Sequence, residues 1–194
     1  AAKASSPAER DAQLVELASR LPQPIRLGTS SWAFAGWTGV VYERPLPPPV
    51  LSRDGLPTYA RHPLLRTVGL DRTFYAPIPA DEYRRLAEQV PPGFTFLVKA
   101  PQMFTSRFRY ESREPSPEYL DPSAAADLFV GPCMEGLGAC AGPLVFQFPP
   151  QGRAITRKPA AFADRLAGFL AALPRGPLYA VELRDRELLA PEVM

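Results

Sequence analysis

Residues 143–183, PLVFQFPPQGRAITRKPAAFADRLAGFLAALPRGPLYAVEL, decide the fold class. The first six, PLVFQF, are an apolar run closed by Pro149-Pro150, which reads as a strand ended by a breaker. From Pro159 onward, Phe162, Leu166, Phe169, Leu170 and Leu173 share one stripe at helical spacing. Leu178 to Leu183 is a second strand-length apolar run. Both strands are too apolar for a sheet with one wet face. Strand, helix, strand with such runs is the pattern of parallel strands covered by helices.

The same alternation extends toward the N-terminus. Phe94 to Ala100, FTFLVKA, reads as a strand. It is preceded by a helix from Asp81 with Tyr83, Leu86, Ala87 and Val90 on one face. Leu65 to Tyr75 reads as another strand, ended by Pro77 and Pro79, and Ile25 to Ser30 as the first. Asp121-Pro122 opens a further helix, with Asp as N-cap and Pro at the first helical position. Pro132 is expected to break or kink it. Ser6-Pro7-Ala8-Glu9 has the form of a capping box, and Leu14, Leu17, Ala18 and Leu21 follow as the stripe of an N-terminal helix. The prolines at 47–49 are expected to be extended. Residues 53–63 read as a loop with one helical turn around Tyr59, and 101–117 as a loop. A helix is expected to begin at Glu187. The domain reading is an N-terminal helix and linker, 1–24, followed by a partial barrel domain, 25–194.

Bulk composition narrows the function classes. The chain has 194 residues, 46% of them hydrophobic, enough for one sizeable core. Its 22 Lys and Arg against 20 Asp and Glu make no footprint for nucleic acid. No apolar run approaches the roughly 20 residues of a membrane-spanning helix, so no membrane partner is expected. Cys133 and Cys140 suit a reducing, cytoplasmic location and read as inert. With His62 as the single histidine, a zinc site of the usual type is not expected, and His62 is given a surface role. The 25 prolines sit at segment junctions and act as punctuation. No glycine-rich dinucleotide or phosphate-binding loop follows any strand, and no nucleophile elbow is present.

Five ordered motifs carry a likeness. They are Gly28-Thr29-Ser30 with Trp32, Gly36-Trp37 and Tyr42; Thr73-Phe74-Tyr75; Pro92-Gly93-Phe94 through Val98-Lys99-Ala100 and Thr105; Gly142-Pro143 to Gln147-Phe148-Pro149-Pro150; and Ala180-Val181-Glu182-Leu183-Arg184. Together, from about Arg26 to Arg184, they resemble the YecE-like family, a domain of unknown function numbered 72 in its series. The resemblance implies an α/β, TIM-barrel-like fold and no established activity. Three positions depart from the family pattern. Gly69 stands where the family usually has an acidic residue, and Ser106 and Asp185 stand where it tends to have His. A full barrel takes eight strands in about 250 residues. About five of the eight are visible here, so further chain or a partner is expected to cover the fifth strand's edge.

Side chains alternate along strands, so Thr95, Leu97 and Lys99 share a face, as do Val145 and Gln147, and Ala180 and Glu182, which Arg184 continues. Asp71, Thr73 and Tyr75 are grouped in the same way. The opposite faces are apolar enough to lie under helices. The polar faces then place Lys99, Gln147, Glu182 and Tyr75 near the strand C-termini, where barrel sites form. On the functional reading, Lys99, Gln147 and Arg184 bind an anion or a sugar. Glu182 is then a general base or cation ligand. Trp32, Trp37 and Tyr42 form an aromatic wall. On the structural reading, Glu182 pairs with Lys99 or Arg184 and the aromatics pack as core. An Asp71–Glu182 carboxylate pair is a weaker alternative.

The leading expectation is an enzyme acting on a small anionic or sugar-like ligand, with a divalent metal compatible but not called for by any motif. The alternative is a non-catalytic ligand-binding or protein-interaction module. The third is a nucleic-acid binder or phosphodiesterase, with Arg107, Phe108, Arg109 and Tyr110 toward the backbone, which the near-neutral charge and the neighbouring Glu111 and Glu114 disfavour.

Overall fold

The structure, a computed structural model, describes residues 7–22, 24–109 and 112–189. Ser6 of the expected capping box, and Tyr110 and Glu111 of the arginine-containing loop, lie outside the described residues. The chain divides into two compact units: Ala1–Gly69 with Gln89–Thr95, and Leu70–Glu88 with Phe96–Met194. Among the described residues no helix is long and apolar enough to cross a membrane.

The first unit opens with helix α1 (Pro7–Arg20), on which Leu14 and Ala18 are half-buried while Leu17 stays exposed. Strand β1 (Leu27–Thr29) is shorter than the predicted run, and it pairs in parallel with β2 (Leu65–Leu70). Their register shifts between Leu27 and Gly28. A Cβ at Gly28 would stand 2.1 Å from Thr67 O, so this approach admits only glycine. The prolines expected to be extended instead start helix α2 (Pro48–Asp54). Pro47 alone is extended, as the cap, and Pro48 and Pro49 fill the first turn, where a missing N–H costs nothing. Helix α3 (Leu56–Ala60) is the turn expected around Tyr59. Tyr59 centres this core. Its ring meets Phe94 edge-on at 6.4 Å, and its hydroxyl accepts from Thr29 N–H at 3.0 Å and donates to Thr67 O at 3.1 Å.

In the second unit the predicted strand to Tyr75 does not form. β2 ends at Leu70, and Arg72–Phe74 is a 3₁₀ turn. The Thr73 hydroxyl lies 2.7 Å from Leu70 O and 2.6 Å from Lys99 O, a local alternative to a strand ladder. Asp71, Thr73 and Tyr75 therefore do not alternate across a strand. Helix α4 (Ala80–Ala87) and strand β3 (Thr95–Lys99) follow as expected. Helix α5 (Pro122–Ala125) is capped by Asp121, whose carboxylate accepts from Ser123 and Ala124 N–H. The expected break at Pro132 is absorbed by one π-helical turn, Ala126–Val130, leading into α6 (Gly131–Leu137).

Strand β4 (Ala141–Phe148), the unpredicted short helix α7 (Arg153–Thr156), helix α8 (Pro159–Ala172) and strand β5 (Tyr179–Leu183) complete the unit. A 3₁₀ turn, Arg186–Leu188, stands where a helix was expected to begin at Glu187, and the residues after Leu189 that would continue it lie outside the described residues. β4 pairs in parallel with β3 and with β5. Phe146 anchors the core, edge-on to Phe129 at 5.9 Å and to Phe169 at 5.1 Å, while Phe148 meets Phe162 at 5.6 Å. The face carrying Leu144, Phe146 and Phe148 thus lies under helices, and Val145 and Gln147 point to the other side.

Candidate functional site

The second unit assembles five of the polar groups named above. In register, Lys99 sits beside Val145, Val145 beside Ala180, and Gln147 beside Glu182. Gln147 and Glu182 are therefore neighbours on one face, toward the C-terminal end of β4 and β5. Lys99 Nζ is 3.1 Å from Asp71 Oδ1. Arg184 Nε donates to Glu182 Oε1 at 3.0 Å. Of the two pairings open to Glu182, the structure forms the one with Arg184, and Asp71 takes Lys99. Each carboxylate of the Asp71–Glu182 alternative thus has its own cation.

Gln147 is different. It is 4% exposed, and its Oε1 is buried with no hydrogen-bond partner among the described residues. A buried acceptor left unmade is costly, so it marks a place where a donor belongs. Tyr75, by contrast, is 76% exposed on the turn after β2 and touches Phe74 edge-on at 5.7 Å.

Gln151, which follows the proline pair closing β4, is a hub that sequence reading passed over. Its N–H donates to Asp185 Oδ2 at 2.6 Å, its Nε2 to Thr105 O and Pro149 O, and its Oε1 accepts from Tyr119 OH at 2.8 Å. Asp185 thus ties two loops at the strand ends. Ser106 closes the turn after β3 through its N–H to Gln102 O. The only available signal for Gln151 was a polar residue directly after a strand-ending Pro-Pro. In the neighbouring loop, Arg107 lies over the Phe108 ring and Arg109 reaches Glu118 at 3.3 Å.

In the first unit the aromatic loop splits into two roles. Trp32 is buried, with its indole N–H donating to Ser52 O at 3.2 Å. Tyr42 is 3% exposed, and its hydroxyl donates to Trp32 O at 2.6 Å. Burial, with the nearby Tyr59, pushes the Tyr42 phenol up to about 12. These two rings pin the loop to α2. Trp37 is half-buried and edge-on to the exposed Phe34 at 5.8 Å. Its Nε1–H is buried and has no acceptor among the described residues. Gly69 packs on Ser30, where a Cβ would stand 3.1 Å from the Ser30 carbonyl oxygen.

His62 is half-buried and not at the surface. With Arg66, Pro92 and Phe94 it lines a cleft of about 190 Å³ at the N-terminal end of β2. Its Nδ1 accepts from Leu64 N–H at 3.3 Å, and burial lowers its pKa. Among the described residues no group of three or more His, Cys, Asp or Glu is placed to hold a metal ion.

No curated protein matches the sequence. Two crystal structures of a DUF72 family protein from Enterococcus faecalis V583 match with TM-scores of 0.60 and 0.51. Each is 18% identical to the chain and matches over 87% of it. The chain spans about half the length of these solved relatives, 54% and 55%. The α/β, TIM-barrel-like fold expected from the sequence is the one it shares with them. The sequence model of the family described as "Protein of unknown function DUF72" matches residues 26–194. The five strand-linked motifs read from the sequence and this match agree, and the chain belongs to the DUF72 family.

Proposed function

We propose that the second unit binds a small polar molecule at the C-terminal end of β3, β4 and β5, with Lys99, Gln147, Glu182 and Arg184 as the contacting side chains. The observation that carries this reading is Gln147 Oε1, buried without a partner beside Glu182. Buried polar atoms without a partner are few in folded proteins, and a ligand hydroxyl or N–H donating to Gln147 Oε1 accounts for this one, which stands at the strand ends beside Glu182. On the catalytic form of this reading, Glu182 is the base, through the carboxylate oxygen Arg184 does not hold, and Lys99 stabilises developing negative charge.

The test is calorimetric titration of wild type and of Gln147→Leu with two probes, D-glucose and inorganic phosphate. At least one probe is expected to bind wild type, and the variant to bind it about tenfold more weakly or worse, the loss of one hydrogen bond in a desolvated site. Failure of both probes to bind, or equal binding by the variant, overturns the reading.

The non-catalytic alternative is favoured by one observation. Lys99 and Glu182, the residues with acid–base chemistry, are each committed to a neighbouring side chain. Retained probe binding without turnover of 4-nitrophenyl glycosides or 4-nitrophenyl phosphate would select it.

A further inference from the structure

We infer that the ligand of this site is a neutral, hydroxyl-rich molecule of the polyol or sugar class and not an anion. This rests on the binding reading above and adds the ligand's chemistry to it.

Charge balance is the first argument. An anion site needs cationic charge that the protein leaves uncommitted. Here Lys99 lies 3.1 Å from Asp71 and Arg184 lies 3.0 Å from Glu182. Two cations face two carboxylates, and Asp185, next to Arg184, adds a third acid already bound to Gln151 N–H. The two ion pairs sum to zero, and Asp185 belongs to a polar cluster with Gln151 and Tyr119 that Arg165 borders. An incoming phosphate or carboxylate would have to break an ion pair or sit beside Glu182 and Asp185.

Hydrogen-bond polarity is the second. The atom lacking a partner is an acceptor, Gln147 Oε1. The oxygen of Glu182 not held by Arg184 is also an acceptor. An ionised carboxylate has no proton to offer either of them, and a phosphate that keeps one brings its negative charge beside Glu182. A hydroxyl both donates and accepts, so it satisfies Gln147 while taking a bond from the Lys99 ammonium or the Arg184 guanidinium at the edge of each ion pair. Gln147 and Glu182 stand on adjacent paired strands, whose backbones run about 4.8 Å apart. That spacing suits two hydroxyls of one polyol. The ion pairs themselves fit this role, since charge-assisted bonds to neutral hydroxyls leave the local charge unchanged.

The experiment titrates wild type with D-glucose, D-ribose and myo-inositol on one side and inorganic phosphate and citrate on the other, with unfolding midpoints measured without any probe. At least one neutral polyol is expected to bind in the millimolar range or tighter, with no binding of either anion. Gln147→Leu is expected to weaken polyol binding by about tenfold or more while leaving the ligand-free midpoint unchanged or raised, because an apolar group of similar shape replaces an unsatisfied one. Glu182→Ala, on a side chain that is 44% exposed, is the second variant and is expected to weaken the same binding with the fold retained. Binding of phosphate or citrate but of no polyol overturns the ligand class and leaves the site standing. Absence of binding by every probe, or binding unaffected by both variants, overturns the class and the site together. A clear fall in the ligand-free midpoint of Gln147→Leu assigns Gln147 a structural role and overturns the inference.

Discussion

Gly28 shows how a single position constrains the first unit. A methyl group there meets Thr67 O at 2.1 Å, and the obstacle is backbone, which cannot rotate away. Gly28→Ala is therefore expected to destabilise the protein by about 1–3 kcal/mol, the usual range for overpacking, read as a lower denaturation midpoint in urea. Equal midpoints for the two proteins would show that β1 shifts at no cost. The cysteines offer a second test at the same scale. Cys133 is buried, and burial pushes its thiol up to about 12, so it carries almost no thiolate at neutral pH. Cys140 is only half-buried, though burial raises its thiol too. Iodoacetamide is expected to label Cys140 slowly in the native protein and Cys133 only after denaturation, as mass spectrometry of the two peptides will report. Rapid native labelling of Cys133 contradicts the packing around it. At the candidate site, the distinction between Gln147 and its neighbours also belongs to single atoms: Lys99 and Glu182 have partners, and Gln147 Oε1 has none.

The helix that runs from Asp121 through α5, a π turn and α6 combines a good start with a difficult middle. Asp121 satisfies two of the free N–H groups of the first turn, and Pro132 removes a donor eleven residues later. The π turn accommodates the proline without ending the helix. Asp121→Ala is expected to cost about 1 kcal/mol, the typical value for a lost cap. Circular dichroism melting should show a midpoint lower by a few degrees, and an unchanged midpoint would mean that packing of Phe129 alone holds this end. β2 and the turn that follows it make the opposite point. Leu65 to Tyr75 has the composition of one long strand, yet it is a strand of six residues followed by a 3₁₀ turn. There the Thr73 hydroxyl shares its proton between Leu70 O and Lys99 O, and the backbone closes the turn through Phe74 N–H to Asp71 O and Tyr75 N–H to Arg72 O.

At the scale of the whole molecule, the single histidine gives stability one source of pH dependence. Burial holds the folded His62 pKa below its ordinary 6.5. From about one unit above pH 6.5 the imidazole is neutral in both states and contributes no pH dependence. As the pH falls below that value the unfolded chain takes up the proton first, so stability declines. The decline levels off once the folded imidazole is protonated as well. His62→Asn, which keeps an acceptor for Leu64 N–H, is expected to flatten this part of the midpoint-against-pH curve. A curve of unchanged slope would assign the acid sensitivity to carboxylates. The order of strands and helices was legible in the residues because apolar spacing, caps and prolines act within a few positions: Phe162 to Leu173, Asp121-Pro122 and PLVFQF each carry their own instruction. So were the family motifs and the alternation that turns Gln147 away from Phe146 and Phe148. What depended on the folded chain was every outcome set by neighbours far away in sequence. Whether Glu182 met Lys99 or Arg184, that Asp71 would take Lys99, that Trp32 and Tyr42 would turn inward while Trp37 kept an unpaired N–H, and that Gln147 would be left without a donor all follow from strand register and packing distance. Composition fixes which groups are available, but burial and reach decide which of them find each other.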